Sequence, residues 1–409
     1  MSSSSISSRL PDPSVSAGVR SGLDVIAGQG FRPWKGLRLG LVCNPTTVDR
    51  RLAHLADLLA ESRDPKLVRL FGPEHGVRGT AQDMIGVDGV TRDARSGVPV
   101  TSLYGATPES LAPNQEALAD LDALVFDVQD VGSRYYTYVY TLMLCMEAAA
   151  RAKVAVWVLD RPNPVGGVEV EGNLVQDAFR SFVGMHPLPV RHGMTVGELA
   201  ALFDEERRLG CELHVVEMER WRRDLFHDET GLPWIPPSPN MPTLDTALCY
   251  PGQCLLEGTN LSEGRGTTRP FEIFGAPFVD PYAWAERLAA LDLPGVAFRP
   301  LWFQPTFHKH AGQACGGLML HVTDRRAYRP FATGLAAIAA ARELWPGDFR
   351  WRTERYEFVA DRLAFDLLCG TDDIRKALEA GRGVPEIRAS WAGAEAAFEK
   401  RRARFLRYG

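Results

Sequence analysis

Glu74, His75 and Arg78 stand together on a glycine-punctuated stretch, FGPEHGVRG. An acid, an imidazole and a guanidinium at that spacing are a set able to move protons and hold anions. The apolar run Leu67 to Phe71 ahead of them reads as a buried strand, and it stops at Gly72-Pro73, where the chain must leave a sheet. In a fold of alternating strands and helices, loops at the carboxyl ends of strands line the ligand crevice. The bland alternative is a capping carboxylate and a surface histidine.

Other strand ends carry similar groups. Asn44 follows the run Leu37 to Cys43; Asp127, Gln129, Asp130, Arg134, Tyr135 and Tyr136 follow Ala123 to Val128; Arg161 and Asn163 follow Val154 to Leu159. Sugars call for this mixture, with planar polar groups for hydroxyls, aromatic faces for C–H surfaces and carboxylic acids at the anomeric centre. Any one of these residues has a structural alternative, because Asp or Asn at a strand end often caps a helix and a Tyr pair often packs. Their recurrence at successive strand ends is the argument for a site. A second reading is a metal held by His75, Asp127 and Asp130, with His308 and His310 in reserve, although no HExxH spacing occurs. A serine nucleophile has less support, since GxSxG is missing.

The elements that must position these groups can be read from periodicity. Four apolar strands separated by helical patterns predict an α/β fold, a Rossmann-like, mostly parallel sheet with helices on both faces. The helices expected between them include about Thr137 to Ala152 and, opened by a capping box at Thr195 and Glu198, one to about Leu209. The GxGxxG and GxxxxGK[ST] fingerprints are both absent, which argues against a dinucleotide or nucleoside triphosphate, and no cofactor is expected. Trp234 to Pro242 holds four prolines in nine residues and marks a boundary. The expected organisation is a flexible lead over 1–22, the Rossmann-like domain over 23–240 and a smaller α+β C-terminal domain over 241–409. Within the last, Asn260 to Glu272 reads as a Gly-rich polar loop and Phe298 to His310 as an aromatic, basic segment broken by prolines. Gly316 to Val322 reads as a strand, and helices are expected at Tyr282 to Leu291, Tyr328 to Leu344, Asp372 to Ala380 and Pro385 to Phe405.

Composition sets outer limits. Two or three domains fit 409 residues, 45% hydrophobic and 24% charged residues are ordinary globular usage, and a net charge of -5 argues against nucleic acid or an anionic membrane as partner. Seven scattered cysteines without CxxC spacing signal neither a disulfide framework nor a zinc site. The Ser-rich start lacks a basic and apolar signal pattern and no run is long enough to span a membrane, so the cytoplasm is the expected compartment.

Seven separated segments, FGPEHGVRG, DVQDVGSRYYTYVYT, DRPNP, RHGMTVGEL, PSPNMP, LEGTNLSEGRGTTRPFE and FHKHAGQACGG, occur in an order that resembles the exo-acting β-N-acetylmuramidases of the NamZ type, from about Leu23 almost to the C-terminus. The resemblance implies a cleft between the two domains that releases N-acetylmuramic acid from the non-reducing end of peptidoglycan fragments or muropeptides, without a metal. It implies Glu74 as general acid, its pKa raised by a buried loop setting. The second catalytic group stays open among Glu263, Asp127, Asp130, Glu169 and Glu171, or the substrate's own 2-acetamido oxygen takes that role. Arg265, between Gly264 and Gly266, is the first choice to read the lactyl carboxylate, with Arg134 and Arg78 as further choices. His308 and His310 would line the cleft from the second domain, and Asn44, His75, Gln129, Asp130, Tyr135, Tyr136, Arg161, Asn163, Asn240 and Asn260 would contact sugar. The competing classes are a non-catalytic cell-wall sugar-binding protein and a metal-dependent hydrolase.

Overall fold

The computed structural model of the chain describes residues 18–62, 64–79 and 91–409. Most of the expected N-terminal lead lies outside the described residues. Its end is anchored: Val19 N–H donates to the Thr230 carbonyl at 3.0 Å, and Ser21 forms a capping box with Asp24.

In chain order the first half forms α1 (Gly22–Gly28), β1 (Arg38–Cys43), α2 (Leu55–Ser62), β2 (Lys66–Gly72), β3 (Thr91–Arg92), β4 (Pro99–Ser102), α3 (Gln115–Leu118), β5 (Ala123–Asp127), α4 (Tyr138–Ala152), β6 (Ala155–Leu159), α5 (Val196–Arg207) and β7 (Leu213–Val216). Among the described residues these strands make a seven-stranded sheet in the order β3-β4-β2-β1-β5-β6-β7, parallel except where β3 meets β4. The continuous apolar runs explain themselves here. Leu39, Leu41 and Cys43 of β1 pack with α1 and α2 on one face, while Val42 points into the core on the other. The capping box at Thr195 and Glu198 opens α5 as the sequence predicts.

The second half forms α6 (Leu244–Gln253), β8 (Ile273–Ala276), α7 (Pro281–Ala289), β9 (Val296–Phe303), β10 (Cys315–Val322), α8 (Pro330–Leu344), α9 (Ala364–Cys369), α10 (Asp373–Glu379), α11 (Val384–Ala389) and α12 (Ala392–Arg402). β8, β10 and β9 make a separate antiparallel sheet in that order. The segment read as proline-broken is in part β9. Its Pro300 is tolerated because β9 is an edge strand with a single neighbour. The single helix expected over 385–405 is two helices instead, interrupted at Ser390 and Trp391, where the chain turns to bury the Trp391 ring against Phe331 at 5.2 Å. α6 is missed by the sequence reading, since Pro251 and Gly252 near its end mimic a loop. Those small residues have a packing role. A Cβ on Gly252 would stand 1.9 Å from the Pro330 carbonyl oxygen, so α6 and α8 touch backbone to backbone.

Two buried side chains tie the halves together. Arg134 donates to the carbonyls of Asn173 (2.5 Å), Leu188 (2.9 Å), Leu368 (2.9 Å) and Cys369 (3.0 Å). Glu171 accepts from the Ala332 and Phe331 N–H groups at 2.9 and 3.3 Å, capping the start of α8.

Burial pushes the Glu171 carboxyl from its ordinary 4.5 up to about 7, with the Ala332 N–H pulling the other way. The folded state therefore holds this proton when the unfolded chain has lost it, and stability falls as pH rises from about 4.5 to about 7. Glu171→Gln keeps the cap and is expected to remove this part of the fall, roughly 3 kcal/mol at most. Thermal melts from pH 5 to 8 should show a flatter profile for the variant. Asp160, pushed by burial to about 6, keeps a residual slope of the same sign below that pH.

Candidate functional site

β2 ends at Gly72, and the next residues turn sharply, with His75 and Gly76 both in the left-handed region at φ 71° and 78°. The turn leaves Glu74 buried at the wall of a cleft whose space, counting its open mouth, is about 490 Å³. Glu74 Oε2 accepts from Thr137 Oγ1 at 3.0 Å at the start of α4. Tyr138 Oη donates to the Pro237 carbonyl at 2.7 Å, so the acid loop, α4 and the proline-rich segment are held as one wall. Ser238 and Asn240 of that segment line the same cleft.

Aromatic rings form the floor. Tyr136 meets Tyr138 and Tyr250 edge to face at 4.9 and 5.6 Å, and Tyr250 meets Phe271 at 4.9 Å. Burial raises the Tyr136 and Tyr138 hydroxyls well above their ordinary range, so both stay neutral.

The opposite wall comes from the Gly-rich loop. Gly264 and Gly266 both adopt φ above 80°, and a Cβ on Gly266 would stand 2.6 Å from the Phe307 carbonyl oxygen, which is why glycine flanks Arg265. Arg265 lies over the Phe271 ring at 5.1 Å and donates to Glu257 Oε1 at 2.8 Å. Glu257 Oε2 accepts from Tyr356 Oη at 2.7 Å. Behind Arg265, Glu263 is fully buried, 3.3 Å from Arg265 Nε, 3.1 Å from His308 Nδ1 and 3.0 Å from Lys309 Nζ. Burial pushes the Glu263 carboxyl up, but Lys309, the His308 hydrogen bond and Arg265 outweigh it and hold it well below the usual carboxylate range.

The structure thus brings Glu74, His75, Tyr135, Tyr136, Asn240 and Arg265 to one cleft, with Glu263 and His308 just behind its wall. Other expected site residues serve the frame. Asp127 is fully buried in a two-bonded pair with Arg161 at 2.5 and 2.9 Å. Gln129 donates to the Asp130 and Pro162 carbonyls, Asn163 to the Met194 carbonyl, and Asn44 Oδ1 accepts from Thr46 N–H. Asp130 accepts from Gly132 N–H. Arg134 is spent on four carbonyls, and Arg78 pairs with Asp93 and Asp57. Asn260 bridges to the Asp348 carbonyl and the Arg350 N–H, and His310 contacts the Asn260 carbonyl at 2.7 Å. Glu169 pairs with Arg329. In sequence, polar residues at strand ends look alike whether they satisfy buried backbone or face a ligand.

Missed by the sequence reading are Glu257, Tyr356 and Glu357, all at the cleft. Glu257 sits inside the LEGTNLSEGRG segment, which was the available signal. Glu357, at φ 51°, accepts from Tyr104 Oη at 3.1 Å. Among the described residues no group of three or more His, Cys, Asp and Glu side chains is arranged to hold a metal ion, and no helix is long and apolar enough to cross a membrane.

Residues 39–245 match the family model described as exo-β-N-acetylmuramidase NamZ, N-terminal, and residues 248–408 match its C-terminal counterpart. The chain is 46% identical over 390 residues to a Bacillus subtilis (strain 168) protein named peptidoglycan β-N-acetylmuramidase NamZ, covering 95% of this chain and 91% of that protein. Two crystal structures of DUF1343 family proteins from Bacteroides fragilis NCTC 9343 superpose with TM-scores of 0.87 and 0.76. They share 35% and 30% identity, and each alignment covers 96% of this chain and 99% of the other.

The charge cluster behind Arg265 generates a prediction. Glu263→Gln leaves Lys309 and Arg265 without their shared buried counter-charge and is expected to cost about 3 to 5 kcal/mol, read as a lower urea midpoint. Adding Lys309→Met should recover part of that loss. Because the Glu263 carboxyl is held down, its stabilisation is present above about pH 4.5 and lost as pH falls, so the variant should lack that share of the acid-side decline.

Proposed function

The chain belongs to the exo-β-N-acetylmuramidase NamZ family, and from that premise we propose that it hydrolyses the terminal β-linked N-acetylmuramic acid at the non-reducing end of peptidoglycan fragments, with Glu74 as the general acid. The observation that carries the reading is the meeting, in one cleft floored by tyrosines, of a buried carboxyl from the end of β2 and a guanidinium from the Gly-rich loop of the second half. Glu74, with Oε2 fixed by Thr137, would protonate the departing glycosidic oxygen. The aromatic lining offers ring faces and edges to the C–H surface of a pyranose. Arg265 would read the lactyl carboxylate that separates muramic acid from glucosamine. Its own partner Glu257 is also held by Tyr356, and Glu263 behind it by Lys309 and His308.

For the second catalytic role we favour carboxylates that face the cleft. Asp127, Asp130, Glu169 and Glu171 are committed elsewhere in the frame, and Glu263 is buried behind Arg265. Glu257 and Glu357 are the carboxylates besides Glu74 that line the cleft among the described residues. We assign them the task of orienting the 2-acetamido group or the attacking water, with the acetamido oxygen as the internal nucleophile in the first case.

The test is product release from a chromogenic β-N-acetylmuraminide beside the matching glucosaminide, with chelator present. Muraminide-selective release is expected from the wild type, with a loss of about 10²- to 10⁴-fold in Glu74→Gln and little change in ligand binding. Release that survives in Glu74→Gln would overturn the assignment of the acid. Binding without release from either sugar would replace the enzyme with a sugar-binding protein.

A further inference from the structure

The aromatic side chains among the large hydrophobics exposed in the described residues are Tyr282, Trp302 and Phe307, at 58%, 60% and 42% exposure, and all three belong to the second half. Tyr282 and Trp302 form a pair with ring centres 5.7 Å apart and planes tilted by 59°. Their backbones are fixed. Asp280 caps α7 by accepting from the Tyr282 N–H at 2.9 Å, and Trp302 lies on β9 opposite Gly316 of β10. That cross-strand neighbour has no side chain to cover the indole. Bare glycine is required there, because a Cβ would stand 2.1 Å from the Val279 carbonyl oxygen.

The pair is linked to the cleft by a short path. One residue after Trp302 the strand ends, and the following loop places Thr306 N–H 2.9 Å from the Gly266 carbonyl, next to Arg265. Four residues can span at most about 14 Å. Phe307 stands on that path, with its backbone packed against Gly266. The surroundings are polar or small, without large aliphatic side chains: Gln304, Thr306 and Gln313 are exposed along the same loop, with Ala311 and Ala314. A protein-binding patch would be expected to continue into aliphatic side chains, whereas solvent-facing rings among amides and a hydroxyl match the face and hydroxyl pattern of a sugar.

We propose that Tyr282, Trp302 and Phe307 form a platform for the glycan strand on the leaving-group side of the scissile bond, continuous with the cleft. The inference rests on the muramidase reading for the direction of the strand. The cleft takes the terminal sugar, and the rings stack on the following residues of a substrate longer than the cleft can enclose.

The experiment compares wild type with the Trp302→Ala/Tyr282→Ala double variant on the chromogenic monosaccharide and on purified glycan strands ending in N-acetylmuramic acid. Monosaccharide release should stay within about twofold, since that substrate has no strand to lay on the platform, while KM for the strands should rise about tenfold with kcat little changed. The same comparison in a Glu74→Gln background, read as strand binding by calorimetry, should show a tenfold weaker Kd. Failure of the muramidase reading would appear as a wild type that releases nothing from the monosaccharide, and strand binding would still report on the platform. Wild-type KM and Kd for strands in the double variant would overturn the proposal. So would a variant whose sole change, by sedimentation, is the loss of a dimer, which would make the patch an interface between copies.

Discussion

Glu263 is a carboxylate with no access to water, and the second wall of the cleft is built around the cations gathered on it. Lys309 reaches it while also donating to the Leu256 and Leu261 carbonyls at 2.8 and 3.0 Å, and Arg265 stands between it and Glu257. Desolvating such charges is costly, and they return that cost when each keeps its partners. The loops 260–272 and 304–312 therefore share one electrostatic centre. Such backing fixes the position of the Arg265 guanidinium in advance of any ligand.

The first wall is organised by different means. Glu74 depends on hydrogen bonds from neutral hydroxyls, with Thr137 on its carboxyl and tyrosines beneath, and its loop is turned by left-handed residues. Hydroxyls and rings thus hold the acid loop, while ion pairs hold the Gly-rich loop.

Parallel strands buried on both faces write themselves as unbroken apolar runs, which is why β1, β2, β5 and β6 were legible to within a residue or two. The second half lacks that signature. β9 alternates and contains Pro300, and α6 ends in Pro251 and Gly252, so both carry the punctuation of loops. At the cleft, Glu74 and Arg265 stood out because glycines beside them announced unusual backbone. Asp127, Gln129, Arg134 and Asn163 share the chemistry of a sugar site, but Asp127 pairs with Arg161 and the other three donate to backbone carbonyls, partners that only the three-dimensional structure reveals. Glu257 was hidden for the same reason, since one of its partners is Tyr356, 99 residues away.

The carbonyl cage of Arg134 has a consequence for how the chain is made. Its acceptors at Asn173 and Leu188 lie within reach soon after synthesis, but those at Leu368 and Cys369 come 234 and 235 residues later. At translation speeds of about 5 to 20 residues per second, a ribosome takes roughly 10 to 50 seconds to deliver them. Through that interval two of the four carbonyls that hold the Arg134 guanidinium are missing. The segment that carries Leu368 and Cys369 is thus what closes the cage, and the interior around Arg134 is completed by distant chain rather than by strand pairing.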